Sequence, residues 1–126
     1  MVGPPAQSSA KESLVRIEKN IVSSPFPHAS SEIRAKLNGY FRLYSRYYVG
    51  STSDPCARAN AHAPRGWTKM VLLYEAWSAR IAVDLERELI RWSRQTGHRV
   101  ECENLAPGGE GIRSVHSTHY IYVLVQ

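Results

Sequence analysis

Cysteines and long apolar runs are scarce in this chain, and their scarcity excludes several classes of protein. Cys56 and Cys102 are the only cysteines among 126 residues, and they form no CxxC pair. This argues against a secreted, disulfide-stapled domain and against a structural zinc site. A zinc set drawn from His62, His98, Cys102 and His116 matches no zinc-finger spacing.

The longest apolar runs, 70–74 and 120–125, are too short to cross a bilayer. The first nine residues also lack the basic and apolar regions of a secretory signal. The sequence therefore predicts an intracellular, cytoplasmic protein that does not use a membrane.

The composition indicates one small globular domain with a basic surface. The apolar fraction is 43%, which is ordinary for a folded protein, and the formal net charge is +5. A basic balance favours phosphate-rich partners such as nucleic acids, although it does not by itself require them.

Two regions differ along the chain. Apolar residues at spacings of three and four predict a helix over 9–21, and two prolines make 23–31 a connector. A short helix over 31–37 should then end at Asn38-Gly39. We therefore expect residues 1–38 to be a basic helical N-terminal extension, serving either as a brace or as an arm that grips nucleic acid.

A compact α+β unit is expected over residues 39–126. Aromatic residues predict a strand over 40–50, ending in a tight turn at Gly50. Asp54-Pro55 is a strong helix start, because a capping side chain precedes a proline at the first helical position. The remaining expected elements are a strand over 69–77, a helix from Ser78 to about Thr96, and a central strand over 119–125 that is apolar on both faces.

Polar residues with catalytic chemistry follow the first strand. Arg58 and His62 are four residues apart, so both project from one face of their helix. An arginine can stabilise charge on a phosphoryl group, and an imidazole can donate or accept a proton. The alternative is a solvated helix face.

Glu86 is the one carboxylate of its helix that is aimed at apolar surroundings on a helical wheel. A buried carboxylate needs a cation, a metal or a hydrogen-bond network. A structural salt bridge and a Mg²⁺ site both satisfy this requirement. Asn104 and the glycine-rich loop at 107–111 are a weaker indication of a polar site, because the loop matches no phosphate-binding fingerprint.

Together these residues resemble the GIY-YIG nuclease family over residues 47–126. Tyr48-Val49-Gly50 looks like the YIG element, and Ser51-Thr52 continues it. Arg58 and His62 match the arginine and histidine of the family, Glu86 matches its metal ligand, and Asn104 matches its late polar residue.

The GIY strand does not precede the YIG strand at the usual distance. Tyr120-Ile121-Tyr122 near the end of the chain looks like that strand, with Tyr122 as the GIY tyrosine. The resemblance therefore implies a circularly permuted domain with a small three-stranded antiparallel sheet flanked by helices. The competing assignment takes 40–44 as the GIY strand and leaves the final strand as an addition.

The resemblance implies a metal-dependent DNA endonuclease. Tyr122 or Tyr48 would activate water with help from His62, Arg58 would stabilise the phosphoryl group, and Glu86 would hold Mg²⁺ or Mn²⁺. Gly50, Ser51, Thr52 and Asn104 would contact the substrate. The alternatives are an inactive nucleic-acid-binding module of the same fold and a protein-interaction domain. The sequence leaves open the strandedness of the DNA and the choice between monomer and homodimer.

Overall fold

The computed structural model describes residues 15–25, 28–95, 101–102 and 118–126, which form one β-sheet with helices on both of its faces. The expected α+β class is confirmed. In chain order the described elements are β1 (Arg16–Lys19), α1 (Ala29–Leu43), β2 (Arg46–Thr52), α2 (Pro55–His62), a 3-10 turn (Ala63–Arg65), β3 (Lys69–Ala76), α3 (Ala79–Gln95), β4 (Glu101–Cys102) and β5 (His119–Val125).

The described strands form a mixed sheet in the order β1-β3-β5-β2-β4. β5 runs antiparallel to both of its neighbours, β3 and β2, so the prediction that the last strand is central is confirmed. The expected sheet of three antiparallel strands is too small. A parallel strand extends it at each edge, where β1 pairs with β3 and the two-residue β4 pairs with β2.

Two apolar layers cover the two faces of the sheet. On one face, which we call the α1/α3 face, Ile33 and Leu37 of α1 and Leu85 of α3 pack against Val49 and Val123 of the sheet. On the other, the α2 face, a smaller layer is built from Val15, Ala59, Trp67, Met70, Leu72, Tyr122 and Leu124. Successive residues of a strand alternate between these two faces, and this alternation decides which polar groups can meet.

The predicted helix over 9–21 is wrong where the structure describes it, because Arg16–Lys19 form β1. The backbone amide of Asn20 also donates to the carbonyl of Leu72 at 2.9 Å, which extends this segment along β3. Val15 and Ile17, two residues apart, both join the α2-face layer, as a strand requires. Residues 1–14 of the predicted extension lie outside the described residues.

α1 continues through Asn38-Gly39, where the sequence predicted its end, and reaches Leu43. Ile33, Leu37 and Phe41 fall at intervals of four and are all buried, so one apolar face spans the glycine. The boundary expected between residues 38 and 39 falls inside this helix. The assignment of 40–44 as the GIY strand is wrong, because 40–43 are helical.

The predicted strand over 40–50 is wrong at 40–43, which are helical, and β2 spans Arg46–Thr52. The two helices that follow it start where the sequence predicted. Asp54 accepts a hydrogen bond from the backbone amide of Ala57 at 3.2 Å, so the predicted start of α2 is confirmed. Ser78 accepts from the amide of Ile81 at 3.2 Å at the start of α3. Within the described residues, no helix has the length and apolar character needed to cross a membrane.

Candidate active site

The two tyrosines singled out in the sequence lie side by side on the α2 face. Antiparallel pairing sets Gly50 of β2 opposite Tyr122 of β5, and Tyr48 is two residues away on the same face of β2. The ring centroids of Tyr48 and Tyr122 are 6.4 Å apart. Tyr122 is fully buried, whereas Tyr48 is half-buried. Of the two phenols, Tyr48 is therefore the one that an external molecule can reach.

Gly50 makes room for the ring of Tyr122. It lies inside β2 and not in the tight turn that the sequence predicted. A Cβ atom at this position would collide with Cζ and the hydroxyl of Tyr122. The glycine is therefore required by the close approach of the phenol to the backbone of the neighbouring strand.

α2 brings a cation and an imidazole to these phenols. Asp54 and Pro55 start the helix directly after β2, so its first turns lie over the end of that strand. Arg58 lies beside both Tyr122 and Tyr48, and its interactions with the two phenols raise the pKa of its guanidinium. His62 Nε2 lies 3.2 Å from the hydroxyl of Tyr122. The structure thus gathers four of the predicted residues into one cluster, which we call the phenol–arginine cluster: Tyr48, Arg58, His62 and Tyr122.

The hydrogen-bonding groups of this cluster are complementary. A guanidinium has only donors, whereas a phenol can both donate and accept, so Arg58 can donate only to the phenol oxygens beside it. The bond between Tyr122 and Nε2 of His62 takes its direction from the imidazole tautomer: Nε2 accepts from the phenol when the ring proton is on Nδ1 and donates to it when the proton is on Nε2. Tyr122 therefore lies between a fixed cation and an imidazole.

Burial and charge set the protonation states of His62 and Tyr122. Burial, followed by the charges of Arg58 and Arg65, lowers the pKa of His62 to about 4. Burial, together with the neighbouring Tyr48, raises the pKa of Tyr122 above its ordinary value, against the opposing effect of Arg58. At neutral pH the imidazole is therefore uncharged and Tyr122 keeps its proton.

Arg58 remains a cation in spite of its partial burial. Burial acts to lower the pKa of its guanidinium, but hydrogen bonding to Tyr122 and the interactions with both phenols raise it overall. Its buried Nε atom has no hydrogen-bond partner among the described residues. Arg58 as a whole residue is half-buried. It thus offers a fixed positive charge beside the half-buried Tyr48.

Glu86 is buried, as its position on the helical wheel predicted, with 1% of its surface exposed. It belongs to α3 and therefore approaches the sheet from the face opposite to the phenol–arginine cluster. Ser51 donates a hydrogen bond of 2.5 Å to its Oε1 atom. The charge of Glu86 also raises the pKa of Tyr122, by less than burial and the neighbouring Tyr48 do.

The sequence missed the role of Ser51 toward Glu86. Ser51 directly follows Gly50 in β2, so it points to the α1/α3 face while its neighbours point to the α2 face. Two patterns in the sequence could have predicted the contact between Ser51 and Glu86: the alternation of side chains along β2 and the apolar arc of α3 that contains Glu86. Thr52 is buried as well, and its hydroxyl accepts from the backbone amide of Asp54 at 3.0 Å, which shapes the connection into α2.

A metal ion at Glu86 would have one carboxylate ligand from the described chain. No group of three or more His, Cys, Asp or Glu side chains comes together among the described residues. Mg²⁺ and Mn²⁺ accept hard oxygen ligands, and Mg²⁺ commonly takes only one or two carboxylates and completes its shell with water and phosphate oxygens. The carboxylate of Glu86 beside the hydroxyl of Ser51 fits such an ion in the chemistry of its donors. Asn104 and the 107–111 loop lie outside the described residues.

A scan against protein-family models, a search of curated proteins and a search of solved structures each found no match for this chain. The chemistry of the site must therefore be inferred from its own geometry.

Proposed function

We propose that this chain is a metal-dependent DNA endonuclease of the GIY-YIG type, with the domain circularly permuted. The observation that carries the proposal is the contact of one guanidinium with two phenols, one of which is also hydrogen-bonded to an imidazole. A cation fixed beside a reachable phenol is suited to a phosphodiester, because the guanidinium stabilises charge on the phosphoryl oxygens.

The topology supports the permutation. β5 is the last described strand in the sequence, yet it occupies the centre of the sheet and sets Tyr122 against Gly50. This is the place that the resemblance gives to the strand bearing the GIY tyrosine. Because residues 40–43 belong to α1, they do not form the GIY strand, and β5 is the remaining candidate for it.

The residues of the cluster divide the work according to their burial. Tyr48 and Arg58 are half-buried, so they contact the substrate, with Tyr48 orienting and activating the attacking water. Tyr122 and His62 are buried, so they act behind this pair by holding the guanidinium in place. Glu86, on the other face of the sheet, would hold a divalent ion, which when bound would supply Lewis-acid chemistry.

A second candidate is an inactive nucleic-acid-binding module of the same fold. The burial of Glu86 at 1% exposure favours it, because a hydrated ion needs access to the carboxylate. The net charge of +5 serves either function. The two candidates differ in one outcome, since a binder retards DNA on a gel and leaves it intact.

The test is incubation of the protein with labelled single-stranded and duplex DNA in parallel reactions containing Mg²⁺, Mn²⁺ or EDTA. We expect cleavage with either ion and none in EDTA. Arg58→Gln should lower the rate about 100-fold or more, as the loss of one transition-state donor does in other enzymes. Glu86→Gln should abolish the metal-dependent rate.

Arg42→Gln is the matched control, because it removes the same charge from an exposed position on α1. Circular dichroism and thermal melts establish that each variant is folded. Equal cleavage by the parent, Arg58→Gln and Arg42→Gln would show that the cluster is not the active site. Retardation without cleavage in all metal conditions would establish the binding module instead.

A further inference from the structure

A cavity of about 320 Å³ lies along α3, outside the phenol–arginine cluster. This volume is at the lower end of the range for small-molecule sites, roughly 300–1,000 Å³, and can accommodate a phosphate group. Its lining is strongly basic. The described residues around it are Arg87, Ile90, Arg91, Arg94 and Gln95.

The three arginines of this cavity, Arg87, Arg91 and Arg94, form what we call the arginine row. Their spacings of four and three residues place them along one side of α3. With a rise of about 1.5 Å per residue, the first and second are about 6 Å apart along the axis, and the third lies about 4.5 Å further. All three are exposed. The row thus presents an elongated positive surface rather than a single charge.

The acidic residues of α3 are committed elsewhere. Asp84 pairs with Arg80 at 3.9 Å, and Glu88 pairs with Arg34 at 2.5 Å. The third acid, Glu86, is buried and accepts from Ser51. The first two members of the arginine row have no carboxylate partner among the described residues. Their charge is therefore available to a ligand that brings its own negative groups.

The cavity adjoins the part of α3 that carries the proposed metal ligand. Ile90, which lines the cavity, is one helical turn beyond Glu86 on the same face of the helix. We propose that the arginine row is a backbone-phosphate subsite that holds a DNA strand along the outer side of α3. This inference rests on the proposed function, and it adds a substrate contact on the side of the sheet opposite to the cluster.

The experiment measures how fluorescein-labelled oligodeoxythymidylate, and separately a labelled duplex, binds to the protein by fluorescence anisotropy in EDTA. The salt concentration is varied from about 0.05 to 0.2 M, a range over which phosphate contacts weaken steeply. Three proteins are compared with the parent. In one, every arginine of the row is replaced by Gln, and in another every one is replaced by Lys. The control carries Arg16→Gln, Lys19→Gln and Arg42→Gln, which remove the same charge from exposed positions on β1 and α1.

Each phosphate contact contributes about 0.7 to the slope of log affinity against log salt for a single strand. Loss of three contacts should therefore reduce the slope by about 2 and weaken single-strand binding about 100-fold at about 0.1 M salt. The Lys variant should keep most of the slope, since its charge is retained. The control should bind within about threefold of the parent, because its cations lie on β1 and α1 and not in the row on α3.

Equal affinity and slope for the Gln variant of the row and the control would overturn the inference. If the parent nevertheless cleaves DNA, the proposed function stands and only the subsite is wrong. If the parent neither binds nor cleaves DNA at low salt, both fail. A larger loss for the duplex than for the single strand would assign the row to duplex DNA, and the reverse would assign it to a single strand.

Discussion

The contact between Gly50 and Tyr122 gives a sharp test of how the candidate site is built. Gly50→Ala would place a methyl group against Cζ and the hydroxyl of Tyr122, whose ring is fully buried and cannot move into solvent. Overpacking of this kind costs about 1–3 kcal/mol. Alanine in place of glycine in a strand otherwise gains roughly 0.5–1 kcal/mol, because the backbone loses less entropy on folding.

A double-mutant cycle separates these two effects. In a Tyr122→Leu background the colliding atoms are absent, so Gly50→Ala should stabilise the protein by roughly 0.5–1 kcal/mol. The difference between the two backgrounds then equals the cost of the overlap, about 1–3 kcal/mol. Tyr122→Phe keeps Cζ and should relieve only part of it. Urea denaturation measures each free energy of unfolding through the transition midpoint.

Gly39→Ala is the matched control for the same substitution. Gly39 lies inside α1, and a Cβ atom there would meet nothing within 4 Å. We expect it to stabilise the protein by about 0.5–1 kcal/mol in every background, because alanine is the better helix former. If Gly50→Ala shifts the midpoint equally with and without the phenol ring, the packing argument for this glycine is refuted.

Two further predictions concern the buried polar groups of the site. Because burial and nearby arginines lower the pKa of His62 to about 4, the unfolded chain binds a proton between about pH 6.5 and 4 that the folded chain does not. The contribution of His62 to the free energy of unfolding is therefore present above about pH 6.5 and is lost as the pH falls, by up to about 3 kcal/mol. Urea titrations over a pH series measure this loss, and His62→Gln should make the free energy of unfolding depend less on pH between about 6.5 and 4. Parallel pH profiles for the parent and the variant would contradict the prediction. Ser51→Ala removes the donor to Glu86 and should lower the free energy of unfolding by about 1.5–3 kcal/mol. The same measurement on Ser53→Ala should stay within about 0.5 kcal/mol of the parent, and equal losses for the two variants would show that the hydrogen bond adds nothing.

Local signals in the sequence were sufficient for the elements that surround the site. The start of α2 follows from Asp54-Pro55, because capping and proline geometry act within one turn. The central place of β5 follows from its apolar residues on both faces, since a strand at an edge does not need them. Glu86 was found in the same way, as the one acid on an apolar arc.

The N-terminal strand could not be recognised from its own residues. Ile17 and Ile21 are four apart, which fits a helix, but Val15 and Ile17 are two apart, which fits a strand. The choice is made by β3, which offers a backbone edge for β1 to pair with. Such pairing joins residues about 50 positions apart, so no local pattern reveals it.

The C-terminal end of α1 was also decided by tertiary packing rather than by its local sequence. An interior Asn38-Gly39 predicted an end, because glycine costs about 1 kcal/mol in a helix. Continuing the helix buries Phe41, and the burial of one such side chain contributes about 1.5–3 kcal/mol. The tertiary gain exceeds the local cost, so the helix continues.

The division of the site between two faces of the sheet was also hidden in the sequence. The resemblance grouped Glu86 with the phenols, but α3 packs on one face and α2 on the other. Which face a helix covers depends on how the chain crosses the sheet, and residue spacing within the helix carries no information about it. In the structure, the adjacent residues Gly50 and Ser51 of β2 connect the two faces, because Gly50 contacts Tyr122 on one face and Ser51 contacts Glu86 on the other.

The place of β5 at the centre of the sheet constrains how the protein can be made. β2 and β3 leave the ribosome before β5 does, and in the finished sheet they do not pair with each other. Until β5 emerges, both strands present backbone edges without a partner, and such edges are prone to join those of other nascent chains. Tyr122 belongs to β5, so the cluster around Arg58 can form only after β5 has paired with β2 and β3. A chain stalled before β5 is translated would therefore contain most of the residues of the fold but would lack the complete cluster.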